Sequence, residues 1–170
     1  MTKKSFFKAV GGGEVDLVQL ILFLLKETNS PYCVIGGLGV NAYVDPVVSL
    51  DLDLVVLAEK RDAFCTVALT KGMRIETFEQ SINLSIAGSD LRIQLQKDPL
   101  YQAFIKRAQY RNVLGYEMAV ADLEDLLQGK LWAYLDKRRR NSKRQKDLAD
   151  ILRLVETYPN LACRLPEGIL

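Results

Sequence analysis

The 170-residue chain contains no histidine, one tryptophan, three cysteines and five prolines. Without imidazole there is no histidine general base, no histidine-bearing zinc site and no side chain that ordinarily changes charge near neutral pH. Chemistry on this chain must run on carboxylates, lysines, hydroxyls, thiols or a cation held by oxygen. Cys33, Cys65 and Cys163 are odd in number, lie far apart and form no C-x-x-C pair, which reads as reduced thiols in a cytoplasmic protein. A cysteine nucleophile would need a neighbouring base or cationic setting that none of the three shows in sequence. Long apolar runs are also missing. The strongest, Leu17 to Leu25, is interrupted by Gln19 and is about half the ~20 residues of a membrane span, so it is expected to be a buried helix and no membrane partner is expected. The N-terminus, Met1 to Phe7, begins like a signal peptide but reaches Gly11-Gly12-Gly13-Glu14 before any apolar core develops. Neither sign of charge dominates: 23 basic and 21 acidic residues leave a net charge of +2, so composition alone names no polyanionic partner.

What the chain has is enough apolar material, 49% of residues, for one domain with a sizeable core. Residues 1–170 read as a single domain, with a core over about 14–120, a C-terminal helical pair over about 121–158 and a loosely packed tail over 159–170. From Glu14 to Thr28, apolar residues at three- and four-residue intervals predict a helix, ended by Asn29-Ser30-Pro31. Tyr32 to Ile35 reads as a buried strand running into Gly36-Gly37, with one or two helical turns before Tyr43. Ser49 to Leu57 is the next strand, Lys60 to Thr70 a helix closed by Gly72, and segments near 73–78, 82–87 and 91–96 are short strands. A short helix over Tyr101 to Ala108, an extended stretch from Val113 to Val120 and two helices, from Asp122 towards Arg138 and over about 143–157, complete the pattern. The order implies an α+β domain with a mixed sheet, flanking helices and a C-terminal helical pair.

The strand S-L-D-L-D-L-V-V-L alternates, placing Ser49, Asp51 and Asp53 on one face and Leu50, Leu52 and Leu54 on the other. Carboxylates two residues apart on a strand have side-chain origins roughly 6.5–7 Å apart and can converge on one hard cation such as Mg²⁺ or Mn²⁺. The plain alternative is the polar face of an edge strand. Upstream, Gly36-Gly37 reads either as a tight turn or as a place where backbone comes close to phosphate.

These segments, Val34-Ile35-Gly36-Gly37 followed by Ser49-Leu50-Asp51-Leu52-Asp53-Leu54, resemble the signature of the nucleotidyltransferase superfamily that shares the DNA polymerase β-like core. The chain looks most like its small bacterial and archaeal members, which include minimal nucleotidyltransferases and abortive-infection type toxins. Val47 stands where those relatives often have arginine. The resemblance extends to Lys130 on a helix and to Lys146-Asp147-Leu148-Ala149-Asp150-Ile151 on the next. Independently, Lys130 falls inside the apolar stripe of Leu123, Leu126, Leu127, Leu131 and Tyr134, so its ammonium must snorkel or meet an anion, either Asp147 or a phosphate.

The resemblance implies a metal-dependent enzyme that moves a nucleoside monophosphate from a nucleoside triphosphate to a hydroxyl of RNA or protein. Asp51 and Asp53 would be catalytic and hold Mg²⁺ or Mn²⁺, Gly36, Gly37, Ser49 and Lys130 would bind the nucleotide, and Asp147 and Asp150 would support the site. Active members present a third carboxylate from a neighbouring strand. Here the polar face of that strand is Asp90, Arg92, Gln94, Gln96 and Asp98, and Gln94 occupies the expected position, with Asp90 the acidic alternative. A neutral amide supplies no charge and no base, which opens a second reading: a catalytically degenerate relative serving as a nucleotide-binding, RNA-binding or protein-interaction module, in a toxin–antitoxin or defence setting as the resemblance implies. Seven bases between Lys137 and Lys146 are nearly a third of the total and leave the remainder net acidic. They read as a solvated helix junction or as a phosphate-binding edge for RNA. Trp132, opposite the apolar stripe of its helix, reads as a stacking surface or as a contact with another element or subunit.

Overall fold

A computed structural model describes residues 16–169. The glycine run at 11–13, the predicted helix start at Glu14 and the signal-like N-terminus lie outside the described residues. Helix α1 (Leu17–Glu27) begins at Asp16, whose carboxylate accepts the Gln19 N–H at 3.0 Å. Leu17, Val18, Ile21, Leu24 and Leu25 are buried. At about 1.5–3 kcal/mol for each large aliphatic side chain removed from water, that stripe holds the helix more firmly than propensity does.

The chain continues through β1 (Tyr32–Ile35), α2 (Gly36–Val40), β2 (Asp51–Val56), α3 (Ala58–Thr70), β3 (Arg74–Thr77), β4 (Ser81–Ser85) and β5 (Arg92–Gln96). After a 3₁₀ segment (Pro99–Arg107) come β6 (Gln109–Val113), β7 (Tyr116–Val120), α4 (Leu123–Leu135), α5 (Asn141–Thr157) and a 3₁₀ turn (Pro159–Arg164). The seven strands form one mixed sheet in the order β3-β4-β5-β2-β1-β7-β6. β2 runs parallel to β5 and antiparallel to β1, which itself runs parallel to β7. The architecture is the α+β mixed sheet with flanking helices and a C-terminal helical pair that the sequence pattern predicts.

Alternation sorts the two faces of β2, β4 and β5. Leu52, Leu54, Ile82, Leu84, Ile93 and Leu95 are buried on one side, while Asp51, Asp53, Asn83, Arg92 and Gln94 stand on the other. Asp122 caps α4, its carboxylate accepting the Glu124 and Asp125 N–H groups at 2.8 and 3.0 Å. A smaller apolar cluster of Val40, Leu127, Leu131, Ile151, Leu154, Val155 and Leu161 joins the helical pair to α2.

Five local expectations need correction. Ser49 lies outside β2, which starts at Asp51. The predicted helix over Tyr101 to Ala108 is a 3₁₀ segment that starts earlier, at Pro99, with Asp98 accepting the Leu100 N–H. The extended stretch around Gly115 is a hairpin whose first strand, β6, is a largely exposed polar edge without an apolar alternation to reveal it. Its turn uses Leu114 and Gly115, both at positive φ. Helix α4 stops at Leu135, because Asp136 leaves helical geometry and turns back to accept the Arg138 N–H at 3.0 Å. The tail is anchored as well, since Leu161 is buried.

Candidate functional site

The site begins at the end of β1. Ile35 pairs with Asp53 across the antiparallel β1–β2 ladder, and the next residue, Gly36, adopts φ +69° to turn the chain into α2. A Cβ on Gly36 would overlap the Asp53 carboxylate, so this close approach needs glycine on two counts. Gly37 is less constrained; a Cβ there would lie 3.9 Å from Asp150 Oδ2. Because α2 spans only five residues, what the turn offers is a close backbone approach to Asp53 rather than a helix macrodipole.

Asp51 and Asp53 share one face of β2, and register fixes what stands next to them. On parallel β5, Arg92 pairs with Asp51 and Gln94 pairs with Asp53. The Arg92 Nε donates to Asp51 Oδ1 at 2.9 Å. Asp90, the acidic alternative for the third carboxylate, is exposed and precedes the strand. The group beside Asp53 is therefore an amide and the group beside Asp51 a guanidinium. Ser49 does not reach the site through its hydroxyl, which accepts the Asp51 N–H at 3.2 Å and stays local. Val47, at the arginine-like position, carries no charge; its backbone is clasped from both sides by the Asn41 amide while its side chain is exposed.

Above Asp53 lies a cavity of about 100 Å³ bounded by Gly36, Gln94, Lys130, Arg139 and Asp147, with Tyr101 and Phe104 as an aromatic wall. Lys130 spans Asp150 Oδ2 at 2.8 Å and Asp147 Oδ1 at 3.1 Å. Arg139 donates to the second oxygen of Asp147 at 2.7 Å, and Arg153 to Asp150 at 2.7 Å. Two carboxylates and three cations thus form one network at the junction of α4 and α5. Burial works against the Lys130 ammonium, but Asp150 and Asp147 outweigh it and hold its pKa above the ordinary lysine value. Burial raises the Asp53 carboxyl to about 6, against the pull of Lys130, with Asp51 adding to the rise and Arg139 and Lys143 opposing it.

The basic segment is partly spent within the chain. Arg138 pairs with Asp136, Arg139 with Asp147, and Arg144 donates to the Tyr134 carbonyl. Trp132 contacts another element: its ring stacks on Phe104 at 5.7 Å and meets Tyr101 edge-on at 5.1 Å. The thiols stay out of the cavity lining, and burial pushes Cys33 up to about 12. Sequence reasoning placed Arg92 on the polar face without its partner, and it passed over Arg139 and Arg153 as members of the network. The i,i+3 spacing of Asp150 and Arg153 was the available signal for the latter.

Asp51, Asp53 and the Gln94 amide set three oxygen-bearing side chains on adjacent strand positions, a donor set that fits one hard cation with open positions for water and phosphate. Arg92 would have to release Asp51 first. Among the described residues no cluster of three or more acidic or thiol side chains converges.

No family model matches the chain, and no curated protein matches it. Among solved structures, the antibiotic-resistance factor ANT(2'')-Ia superposes with a TM-score of 0.57 at 16% identity, over 87% of this chain and 90% of that one. The lincosamide antibiotic adenylyltransferase LnuA, bound to lincomycin, superposes at 0.56 and 13% identity, over 81% and 95% of the two chains. A candidate nucleotidyltransferase from Thermotoga maritima gives 0.54 at 18% identity, over 78% and 86%. The chain has the fold of the nucleotidyltransferase superfamily.

Proposed function

Given this fold, we propose that the chain is a nucleotidyltransferase that moves a nucleoside monophosphate from a nucleoside triphosphate to a hydroxyl group. The observation that carries the reading is the position of Asp53. It shares its strand face with Asp51, lies against Gly36 and lines the cavity that Lys130 and Arg139 bound together with Asp147 and Asp125. In the reaction the acceptor oxygen attacks the α-phosphorus, the bond to the bridging oxygen breaks, pyrophosphate leaves with that electron pair, and the hydroxyl proton passes to water. A divalent cation on Asp51 and Asp53, when bound, would offset phosphate charge and make the acceptor oxygen a better nucleophile.

The chain's own residues bind and orient. Gly36 lets the Asp53 carboxylate lie against the turn where any side chain would displace it, and the less crowded Gly37 leaves the same turn open to phosphate oxygens. Lys130 gives two of its three N–H donors to Asp150 and Asp147, and the third is left for a phosphate. Arg139 and Lys143 add positive potential on the same side of Asp53. Asp147 and Asp150 act through Lys130 and Arg139 as positioning residues. With Arg138, Arg139 and Arg144 engaged internally, RNA recognition by segment 137–146 falls to Lys137, Arg140, Lys143 and Lys146.

A second reading, a nucleotide-binding protein without turnover, is favoured by Gln94 in the third position and by the Arg92–Asp51 pair. Incubation with α-labelled nucleoside triphosphates, Mg²⁺ or Mn²⁺, and RNA, protein or small-molecule acceptors separates the two. The transferase reading expects label on an acceptor from the wild type and a loss of about 100-fold or more in Asp51→Asn and Asp53→Asn. Transfer that persists unchanged in both variants sinks this site. Binding of the triphosphate without any transfer leaves the second reading standing.

A further inference from the structure

The sheet face beside Asp53 continues across three more strands, and its side chains form a transverse row. Asp53 on β2 pairs with Gln94 on β5, Gln94 with Asn83 on β4, and Asn83 with Glu76 on β3. In the antiparallel pairs of the row, Gln94–Asn83 and Asn83–Glu76, side chains so placed stand about 4.5–5.5 Å apart at Cβ. The two central members are amides that no other side chain of the row engages. The Asn83 carboxamide oxygen is buried and unpaired, and the Gln94 amide has no hydrogen-bond partner among the described residues. Both side chains are half-buried. A polar group left unpaired in the fold gains when a ligand pairs it.

The two sides of Asp53 differ in charge. Towards α4 and α5 stand Lys130, Arg139, Arg153 and Lys143 against Asp147 and Asp150, with Asp125 matched by Arg107, so this side stays net positive after its ion pairs are counted. Towards β3, the row is amide, amide, carboxylate, and the next row outward carries two arginines already matched, Arg92 with Asp51 at 2.9 Å and Arg74 with Glu76 at 3.6 Å. Asp51, Asp53 and Glu76 outnumber those arginines, so this face gives a phosphate backbone no net attraction. In-line displacement at phosphorus requires the attacking oxygen to enter opposite the leaving group. If pyrophosphate leaves on the cationic side, the acceptor hydroxyl enters over Gln94 and Asn83.

We infer that Gln94 and Asn83 form the acceptor-binding shelf and that the acceptor is a small, uncharged polyhydroxylated molecule. Each amide offers both a donor and an acceptor, which matches neighbouring hydroxyls, and a neutral ligand does not meet repulsion from Asp53 and Glu76. The inference rests on the transferase reading for its direction of approach, but binding to the shelf is measurable without nucleotide or metal.

The test is a titration of the isotope-labelled full chain, followed through the side-chain NH₂ resonances of Asn83 and Gln94. The probes are D-glucose, D-galactose and myo-inositol, with adenosine and a single-stranded RNA oligonucleotide as the competing occupants. The expected result is saturable movement of both amides by at least one polyol and by neither adenosine nor RNA, weakened about 10-fold or more in the Asn83→Ala/Gln94→Ala variant. Because the Asn83 oxygen is unpaired, Asn83→Ala should leave Tm unchanged or raised, which separates a ligand role from a structural one. Silence with all three polyols overturns the inference, as does movement by RNA or adenosine instead. Polyol binding with no label transfer would count against the transferase and not the shelf, whereas transfer to RNA without polyol binding would count against the shelf alone.

Discussion

Gly36 and Asp53 are in contact where any other residue at position 36 would collide: the glycine Cα, at φ +69°, faces the carboxylate across the β1–β2 pair. Its neighbour Gly37 has neither the positive φ nor the tight contact.

The pair of glycines therefore gives a contrast. Gly36→Ala should lose at least ~1–2 kcal/mol from left-handed backbone strain alone and should abolish nucleotide binding, because the methyl group and the carboxylate compete for one space. Gly37→Ala should change stability by less than about 1 kcal/mol. Denaturant unfolding and calorimetric nucleotide titration of both variants check this, and equal effects would count against the steric account.

Lys130 is the centre of the cation–carboxylate network, with its side chain only 12% exposed. Removing it in Lys130→Met leaves Asp147 with Arg139 and Asp150 with Arg153, so the loss should fall near the lower end of the 3–5 kcal/mol seen when one partner of a buried pair is deleted, about 3 kcal/mol. Adding Asp147→Asn in the same chain should recover part of it. A double-mutant cycle on urea unfolding reads the coupling, and additive effects would contradict the shared network.

Asp53 should make the fold less stable as pH rises. Its carboxyl is held at about 6, above the ordinary 3.8, mainly by burial, so the folded state binds the proton more tightly than the unfolded chain does. The stabilisation from that proton is complete below about 4 and is lost as pH climbs through about 6. Asp53→Asn should accordingly be more stable than wild type by about 1–3 kcal/mol above pH 7, with the difference shrinking below pH 6. Thermal unfolding of both proteins across this range gives the answer, and a difference that grows on acidification would reverse the sign.

Arg92 competes with any cation for Asp51. Its side chain is 62% exposed, so the ion pair is a surface one worth less than about 1 kcal/mol, and Arg92→Gln should barely move Tm. The same substitution frees the carboxylate and should tighten Mn²⁺ binding up to about 5-fold. Paramagnetic titration with Mn²⁺ measures it; unchanged or weaker binding would mean that Asp51 is not a ligand.

Much of the local architecture was legible because it depends on neighbours in sequence. The alternation of Asp51 and Asp53 with Leu52 and Leu54 fixes opposite faces of one strand, and the stripe from Leu17 to Leu25 fixes the buried side of α1. Asp122 caps its helix through N–H groups two and three residues away. The polar edge strand β6 and the 3₁₀ form of Pro99–Arg107 were not legible, because neither carries a periodic apolar signal. Trp132 had two readings in sequence, and only its stacking on Phe104 decided between them.

By itself the sequence determined the chemical inventory: no imidazole, two aspartates on one strand face, a glycine turn before them and a lysine inside an apolar stripe. Tertiary structure alone decided which groups meet. The parallel register of β2 and β5 set Gln94 beside Asp53 and Arg92 on Asp51, and the crossing of α4 and α5 gave Lys130 two carboxylates where the sequence had offered one. The division has a physical cause. Side-chain direction follows from backbone periodicity over a few residues, whereas charge balance depends on partners brought together across 41 residues for Arg92 and Asp51, and only the packed fold specifies that pairing.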